Sequence, residues 1–179
     1  MLRFNSRQFQ WLNLIWFNVI WFIAVYFTTQ GLYFLFFSLL CHFYLTPTRR
    51  HDLWVMLSVT LVGAGCDALL KQVGVMFFTD GVLLPLWLLL LWTHFALALN
   101  HGMSWLKRFP LYLQAVFGGL FGPLSYFAGY KMGAVSFPLQ LPATLSVLAV
   151  IWFCLLPVYL VATRYFRSNG NDNENRYCN

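Results

Sequence analysis

The run LWVMLSVTLVGAGCDALLK (residues 53–71) is apolar apart from a few residues, and its charged residues, Asp67 and Lys71, stand near its end. A helix needs about 20 apolar residues to cross the hydrocarbon core of a membrane, so this run predicts a transmembrane helix. Runs of similar length and composition cover residues 10–28, 31–47, 82–100, 111–130 and 139–163. The sequence therefore predicts an all-α fold, a polytopic transmembrane bundle of six helices.

The composition leaves no room for a soluble domain. Of the 179 residues, 60% are hydrophobic and only 9% are charged, whereas about a quarter of the residues in soluble domains are charged. We therefore predict a single six-span transmembrane domain over residues 1–167. The polar, Asn-rich segment 168–179 is typical of a disordered tail.

The basic residues are unevenly distributed between alternate loops. Nine of the eleven lysines and arginines precede the first run or follow the second, fourth and sixth runs, and the other two are Lys71 and Lys131. Because cytoplasmic loops carry an excess of Lys and Arg, both termini are expected in the cytoplasm, together with the tail 168–179. Membrane topology and contact with anionic lipid headgroups explain the net charge of +6, so nucleic acid is not expected as a partner.

The sequence carries no pattern that indicates a disulfide, a cofactor or a known catalytic motif. Its four cysteines (Cys41, Cys66, Cys154 and Cys178) lack CxxC spacing and lie at different predicted depths. The motifs G-x-S-x-G, H-E-x-x-H and the Walker loop are absent from the sequence. We therefore expect no metal and no cofactor, and the sequence leans against an enzyme without excluding one.

A charged residue inside a membrane span usually faces the interior of the bundle. One helical face of residues 53–71 carries the small and polar residues Thr60, Gly63, Ala64, Asp67 and Lys71. Lys71 follows Asp67 by four positions, which is the favourable order for an ion pair on a helix. The favoured interpretation is a structural ion pair near the outer surface. The alternative makes Asp67 a proton or cation site at the mouth of a polar cavity, with Lys131 as a second partner.

The run 111–130 carries a stripe of small residues that indicates close helix packing. Its members are Gly118, Gly122, Ser125 and Gly129, and Pro123 stands beside them. The spacing of Gly118 and Gly122 lets another helix backbone approach, and Pro123 removes one hydrogen bond from the helix. The favoured interpretation is a tightly packed central helix, and the alternative is a broken helix that lines a substrate site.

Four polar residues lie about 8–11 Å inside the cytoplasmic boundary, at a rise of 1.5 Å per residue. They are Asn13, His42, His94 and Gln114. Their equal depth permits a hydrogen-bonded cluster between helices, which is the favoured interpretation, and a cytoplasm-facing site is an alternative. A metal site is the least favoured, because His94 and His101 lack the i,i+4 spacing of a helical metal pair.

The stretches LLKQVGVMFF (69–78) and AGYKMGAVSF (128–137) resemble each other, and a proline follows each of them shortly afterwards. Repeated hairpins occur in transporters. However, chance readily produces matches this short, and chance is the favoured interpretation.

Two blocks, LWTHFALALNHGMSWL (91–106) and GGLFGPLSYFAGYKMGAV (118–135), resemble the integral membrane family catalogued as domain-of-unknown-function family 2878. The most specific piece is Gly-Pro-Leu-Ser-Tyr at 122–126, followed by Ala-Gly at 128–129. The resemblance implies a small multi-pass protein of the bacterial inner (plasma) membrane. Some members have genes near those of cyclopropane-fatty-acid-synthase-like enzymes, which implies a link to membrane-lipid modification or envelope stress, but no catalytic residue.

Three functions remain open at this point. The leading one is an accessory protein in lipid modification or envelope stress response, with membrane lipids and lipid-modifying enzymes as its partners. A small permease or proton-coupled carrier would use Asp67 and the histidines, and would need a continuous polar cavity from Asp67 to His94. A lipid-modifying enzyme would need a polar, cytoplasm-facing pocket that opens sideways to lipid.

The distribution of basic residues yields a first prediction. Reporter fusions placed after Arg50, Arg108 and Arg167 should all report a cytoplasmic location, because each junction follows a basic loop or tail. The measurement is the activity ratio of a cytoplasmic and a periplasmic reporter. A periplasmic signal at any of the three junctions would overturn the topology.

Overall fold

The computed structural model describes the backbone of residues 6–46 and 48–177, and the side chains of residues 10–46 and 48–165. The fold is all-α, as predicted. The helices are α1 (Ser6–Phe27), α2 (Leu32–Leu45), α3 (Arg49–Gln72), α4 (Leu86–Asn100), α5 (Leu111–Lys131) and α6 (Leu141–Tyr177). Two short strands, β1 (Phe77–Phe78) and β2 (Val135–Ser136), pair with each other.

Four helical segments of the described chain are long and apolar enough to span a membrane, so this is a membrane protein. They are Gln10–Leu45, Arg49–Gln72, Leu111–Lys131 and Leu141–Tyr165. The predicted count of six spans is not confirmed, because the first segment contains both α1 and α2. Helix α2 has 14 residues and α4 has 15, which makes them about 21–23 Å long, shorter than a hydrocarbon core of about 30 Å.

The first segment is a hairpin rather than one long helix. A 3-10 turn, Thr28–Gly31, joins α1 to α2, and Thr28 has a positive φ of 45°. The Trp16 indole of α1 donates a hydrogen bond to the Ser38 hydroxyl of α2 at 2.9 Å. This contact shows that α2 runs back along α1. The predicted span 31–47 ends at Pro47, which lies outside the described residues.

Helix α4 lies at the centre of the bundle. Ten of its 15 residues are buried, and it packs against α1, α2 and α3. A helix that is apolar all round is typically a buried one, and the central position explains why this apolar helix need not be long. It begins at Leu86, after Pro85, rather than at residue 82.

The interpretation of residues 111–130 as the central helix is therefore corrected. Helix α5 packs mainly against α6, and its outer face exposes Val116, Leu120 and Leu124. It continues through Pro123 without a break, so the broken-helix alternative is not observed either.

The similarity between residues 69–78 and 128–137 reflects a structural repeat, which corrects its interpretation as chance. Both α3 and α5 end in the same Schellman motif. In it, the N–H of Val75 donates to Leu70 and the N–H of Ala134 donates to Gly129. The intervening glycines of the two turns, at positions 74 and 133, have φ values of 77° and 80°.

The strands that follow these turns pair antiparallel, with Phe77 opposite Ser136. These two residues are 59 positions apart, as are the two turn glycines. The paired residues are thus equivalent positions of the two repeats. The two segments α3–β1–α4 and α5–β2–α6 thus meet at this strand pair.

The prediction of a disordered tail over residues 168–179 stays a prediction. The backbone of α6 is helical to Tyr177, and residues 178–179 lie outside the described chain. Extending an existing helix avoids the cost of nucleation, which explains how a polar segment continues a helix that begins in the apolar run 139–163.

Glycines seat two tryptophans at the centre of the repeats. A Cβ at Gly63 would overlap the Trp92 ring, and a Cβ at Gly122 would overlap the Trp152 ring. A Cβ at Gly118 would overlap the backbone carbonyl of Trp152, whereas one at Gly119 would meet nothing closer than 3.4 Å. Gly118 and Gly122 of the small-residue stripe therefore let α5 pack at backbone distance against α6.

This packing yields a second prediction with a matched control. Gly118→Ala should destabilise the protein by about 1–3 kcal/mol, because the backbone oxygen of Trp152 cannot move aside without shifting α6. Gly119→Ala should be neutral or slightly stabilising, because alanine favours the helix. Thermal unfolding in detergent measures both, and equal losses would show that the α5–α6 contact is not close.

Candidate functional site

Asp67 lies near the end of α3 that leads to β1 and is buried, with 1% of its surface exposed. The Trp92 indole N–H donates a hydrogen bond to Asp67 Oδ2 at 2.7 Å. The Tyr126 hydroxyl donates to Asp67 Oδ1 at 2.6 Å. Both carboxylate oxygens are therefore held by aromatic donors from other helices.

The predicted ion pair between Asp67 and Lys71 is wrong. Lys71 Nζ donates instead to the carbonyl oxygens of Gly81, at 2.8 Å, and Val82. Lys131, the suggested second partner, lies 5.4 Å from the centre of the Phe127 ring. The Lys71 ammonium group therefore extends to the loop after β1, as a lysine near a helix end reaches polar surroundings, whereas Lys131 lies against a ring of its own helix.

The two tryptophans seated on glycines form a stack at the centre of the bundle. The ring centroids of Trp92 and Trp152 are 5.5 Å apart, and their planes differ by 9°. Asp67 and Tyr126 are also 59 positions apart, so the hydrogen bond between them joins equivalent positions of the repeats. The tryptophan stack and this hydrogen bond thus join the two repeats by direct contacts.

A cleft of about 530 Å³ lies between α1, α4 and α5. Its walls are mainly apolar and include many aromatic rings, and its mouth between α1 and α5 carries the exposed side chains of Asn18, Phe121 and Leu124. The Trp21 indole of α1 donates to the Ser125 hydroxyl of α5 at 2.9 Å, which ties the two walls together. Neither Asp67 nor His94 lines this cleft, so it is not the polar cavity that a carrier would need.

The cleft extends between the two ends of the bundle. Met103 and Trp105 line one end of the cleft, and Phe78 of β1 and Val135 of β2 line the other end. The opening faces sideways, along helices whose outer faces are apolar. An elongated apolar cleft with a lateral mouth is complementary in shape and polarity to a hydrocarbon chain.

Three of the four polar residues predicted near the cytoplasm lie in separate contacts. The Gly102 N–H donates to Asn13 Oδ1 at 3.1 Å. His94 contacts the Leu90 carbonyl oxygen at 2.8 Å and the Ser38 hydroxyl at 3.2 Å.

Gln114 donates to the carbonyl oxygens of Leu106 and Phe109, at 3.3 and 2.8 Å. These side chains thus fasten α1, α2 and the loop before α5, rather than forming the shared cluster that their equal depth permitted.

His42, the fourth of these residues, belongs to a cluster around Asp52, a carboxylate with no exposed surface. His42 Nε2 lies 3.2 Å from Asp52 Oδ2, and His101 Nε2 lies 2.8 Å from Asp52 Oδ1. The Thr46 hydroxyl donates to Oδ2 at 2.6 Å. The cluster joins α2, α3 and the turn after α4 at the end of the bundle opposite the strand pair.

Sequence reasoning missed Asp52, His101 and the exposed Asn18 as site residues. Asp52 lies in the segment TPTRRHD (46–52), which reads as a solvated turn. The available signal was the side of the membrane, since Asp52 directly precedes the run 53–71 and His101 directly follows the run 82–100, both on the side predicted for His42.

The amide of Asn100 extends the Asp52 cluster. His51 Nε2 lies 3.1 Å from Asn100 Oδ1, and Lys107 Nζ lies 3.5 Å from the same oxygen. With its oxygen occupied, the amide presents its NH₂ group to Asp52 Oδ1 at 2.8 Å. The contacts of His51 and Lys107 therefore fix the orientation of the Asn100 amide that donates to the Asp52 carboxylate.

Residues 10–158 match the family described as a protein of unknown function, DUF2878. The chain belongs to this family. The resemblance seen in residues 91–106 and 118–135 is thereby confirmed. No curated protein and no solved structure matches the chain. Since family membership assigns no activity, the function has to be argued from the cleft and the polar clusters.

The contacts of Asp67 yield a third prediction. In Asp67→Asn, the amide oxygen can accept from Trp92 and the NH₂ group can donate to Tyr126, whose hydroxyl can also accept. In Asp67→Leu, both donors stay buried and unpaired, which costs about 1–3 kcal/mol for each group. Thermal unfolding in detergent should therefore show a small loss for Asp67→Asn and a large loss for Asp67→Leu. Equal stability of the two variants would contradict these contacts.

Proposed function

We propose that this protein binds a hydrocarbon chain of a membrane lipid in the cleft between α1 and α5, and that it acts as an accessory to the modification of membrane lipids. The lateral, apolar mouth of the cleft carries this proposal. Its volume of about 530 Å³ falls within the range of about 300–1,000 Å³ that is usual for ligand sites.

The chemistry of the walls supports a lipid chain as the occupant. The polar groups at the cleft are few, and the indole of Trp21 and the hydroxyl of Ser125 already satisfy one another. Asn18 at the mouth donates to the Leu14 carbonyl oxygen of its own helix at 2.8 Å. A polar cargo would find few partners there, whereas an acyl chain requires none.

The setting proposed for this function is the inner membrane of a bacterium. The α1–α2 hairpin and the basic residues of alternate loops support six crossings, with both termini in the cytoplasm. The short helices α2 and α4 would then cross the membrane inside the bundle, with loops that reach into the interface. Lipid-modifying enzymes of the same membrane are the proposed partners.

A lipid-modifying enzyme is the second candidate, and one observation favours it. The turn after α4 places His101 against Asp52 and, two residues later, places Met103 in the wall of the cleft. A polar cluster thus lies beside the cytoplasmic end of the cleft. The carrier hypothesis has less support, because Asp67 is enclosed by Trp92 and Tyr126.

A fourth prediction tests lipid binding by filling the cleft. Ala128 lines the cleft, so Ala128→Trp should displace the bound chain and reduce the lipid that co-purifies with the protein. Leu120→Trp on the same helix is the matched control, since Leu120 is 62% exposed and does not line this cleft. Native mass spectrometry measures the retained lipid.

Two further outcomes distinguish lipid binding in the cleft from the accessory role in lipid modification. Equal lipid retention in both variants, with intact folding, would remove the cleft as the binding site. Lipid analysis of a deletion strain, complemented with either variant, then tests the role in lipid modification. An unchanged lipid profile in the deletion strain would leave lipid binding standing and overturn the accessory role. A carrier that cycles a proton on Asp67 would instead lose function in Asp67→Asn at a normal protein level.

A further inference from the structure

Three side chains from three separate elements converge at the cytoplasmic end of the bundle. His42 lies on α2, Asp52 on α3, and His101 in the turn after α4. Each offers one ligand atom, and these atoms lie within 4.8 Å of one another. We propose that His42, Asp52 and His101 form a binding site for a divalent transition-metal ion. This inference goes beyond the proposed lipid function and does not depend on it.

More polar groups surround the Asp52 carboxylate than it can accept hydrogen bonds from. Five donors surround the two oxygens: Asn100 and His101 at Oδ1, and His42, Thr46 and Thr48 at Oδ2. A carboxylate accepts at about four lone-pair positions. The longer contacts are those of His42 at 3.2 Å and Thr48 at 3.4 Å. The His42 nitrogen therefore makes a long hydrogen bond to Asp52. As a metal ligand it would instead bind the ion through its lone pair.

The distances fit one ion without a change of fold. Histidine nitrogens and carboxylate oxygens lie about 2.0–2.2 Å from zinc, so two ligands of one ion are at most about 4.4 Å apart. The separations of 3.2 and 2.8 Å between each imidazole nitrogen and the carboxylate already satisfy this limit. All three ligand atoms lie within 4.8 Å of one another. Side-chain movements of a few tenths of an ångström would therefore bring every separation inside this limit.

The burial pattern leaves one side of the site open. Asp52 has no exposed side-chain surface, whereas the side chains of His42 and His101 are 14% and 16% exposed. An ion would therefore enter from the side of the two imidazoles. Three protein ligands and an accessible fourth position are typical of zinc sites that keep a water or a substrate.

The ligand set selects the class of ion. Imidazole ligands suit zinc, iron, cobalt and nickel, whereas magnesium and calcium prefer sites made of oxygen alone. Outer contacts from Thr46 and Asn100 to the carboxylate resemble the hydrogen bonds that orient ligands in metal sites. Because Asn100 is itself held by His51 and Lys107, the carboxylate is positioned before any ion binds.

A fifth prediction tests this site by titration with Co²⁺. The full chain is purified without a polyhistidine tag, treated with a chelator, and titrated while visible absorption and heat are recorded. We expect saturable binding of one Co²⁺ per chain, with displacement by Zn²⁺. His42→Gln and His101→Gln should each weaken binding at least about tenfold, since changes in outer-shell partners alone cost that much.

The controls separate a lost ligand from a lost fold. His94→Gln changes a histidine of α4 that contacts Ser38 rather than Asp52, so it should bind Co²⁺ like the wild type. His42→Cys should bind Co²⁺ and add a sulfur-to-cobalt charge-transfer band in the near ultraviolet, which only direct coordination produces. Wild-type protein without saturable binding would overturn the proposal and leave the cluster as a hydrogen-bonded tie between helices. Binding that is unchanged in both glutamine variants would overturn it as well.

Discussion

The stacked indoles of Trp92 and Trp152 set the spacing of the four helices α3 to α6. Each ring fills the space above a glycine of the preceding helix, Gly63 or Gly122, where a Cβ would overlap it. The rings then meet each other at 5.5 Å, a contact worth about 0.5–1.5 kcal/mol beyond the burial itself. Each tryptophan ring occupies the space that a side chain at its glycine would fill. The packing therefore requires both the tryptophan and the glycine of each pair.

A buried indole also needs an acceptor for its N–H. Asp67 accepts from Trp92 and from Tyr126, and a hydrogen bond inside a protein contributes about 0.5–1.5 kcal/mol. Asp67 thereby fixes the ring that the stack depends on. The corresponding position of the second repeat holds Tyr126, which donates to Asp67, so the two positions complement each other.

The sequence predicted features that depend on local pattern. Apolar runs gave the all-α membrane fold, and the spacing of Gly118 and Gly122 gave the close packing of α5. Partners distant in the chain were not predictable in this way. The spacing of four positions predicted Lys71 as the partner of Asp67. The actual partners, Trp92 and Tyr126, are 25 and 59 positions away. The central helix was also misplaced, since α4 carries few small residues and is central because of its apolar surface.

The two carboxylates of α3 face different demands, although both are buried. Asp52 and Asp67 are separated by 15 positions, about 22 Å along the helix. The donors of Asp67 are an indole and a phenol packed into the core, and neither can leave without opening the tryptophan stack. The neighbours of Asp52 include two mainly buried imidazoles, and an imidazole nitrogen that gives up its proton can bind a metal ion instead of donating a hydrogen bond. Asp67 is thus bound into the fold, whereas Asp52 keeps neighbours that are able to change partner, which is why the proposed metal site lies at Asp52 rather than at Asp67.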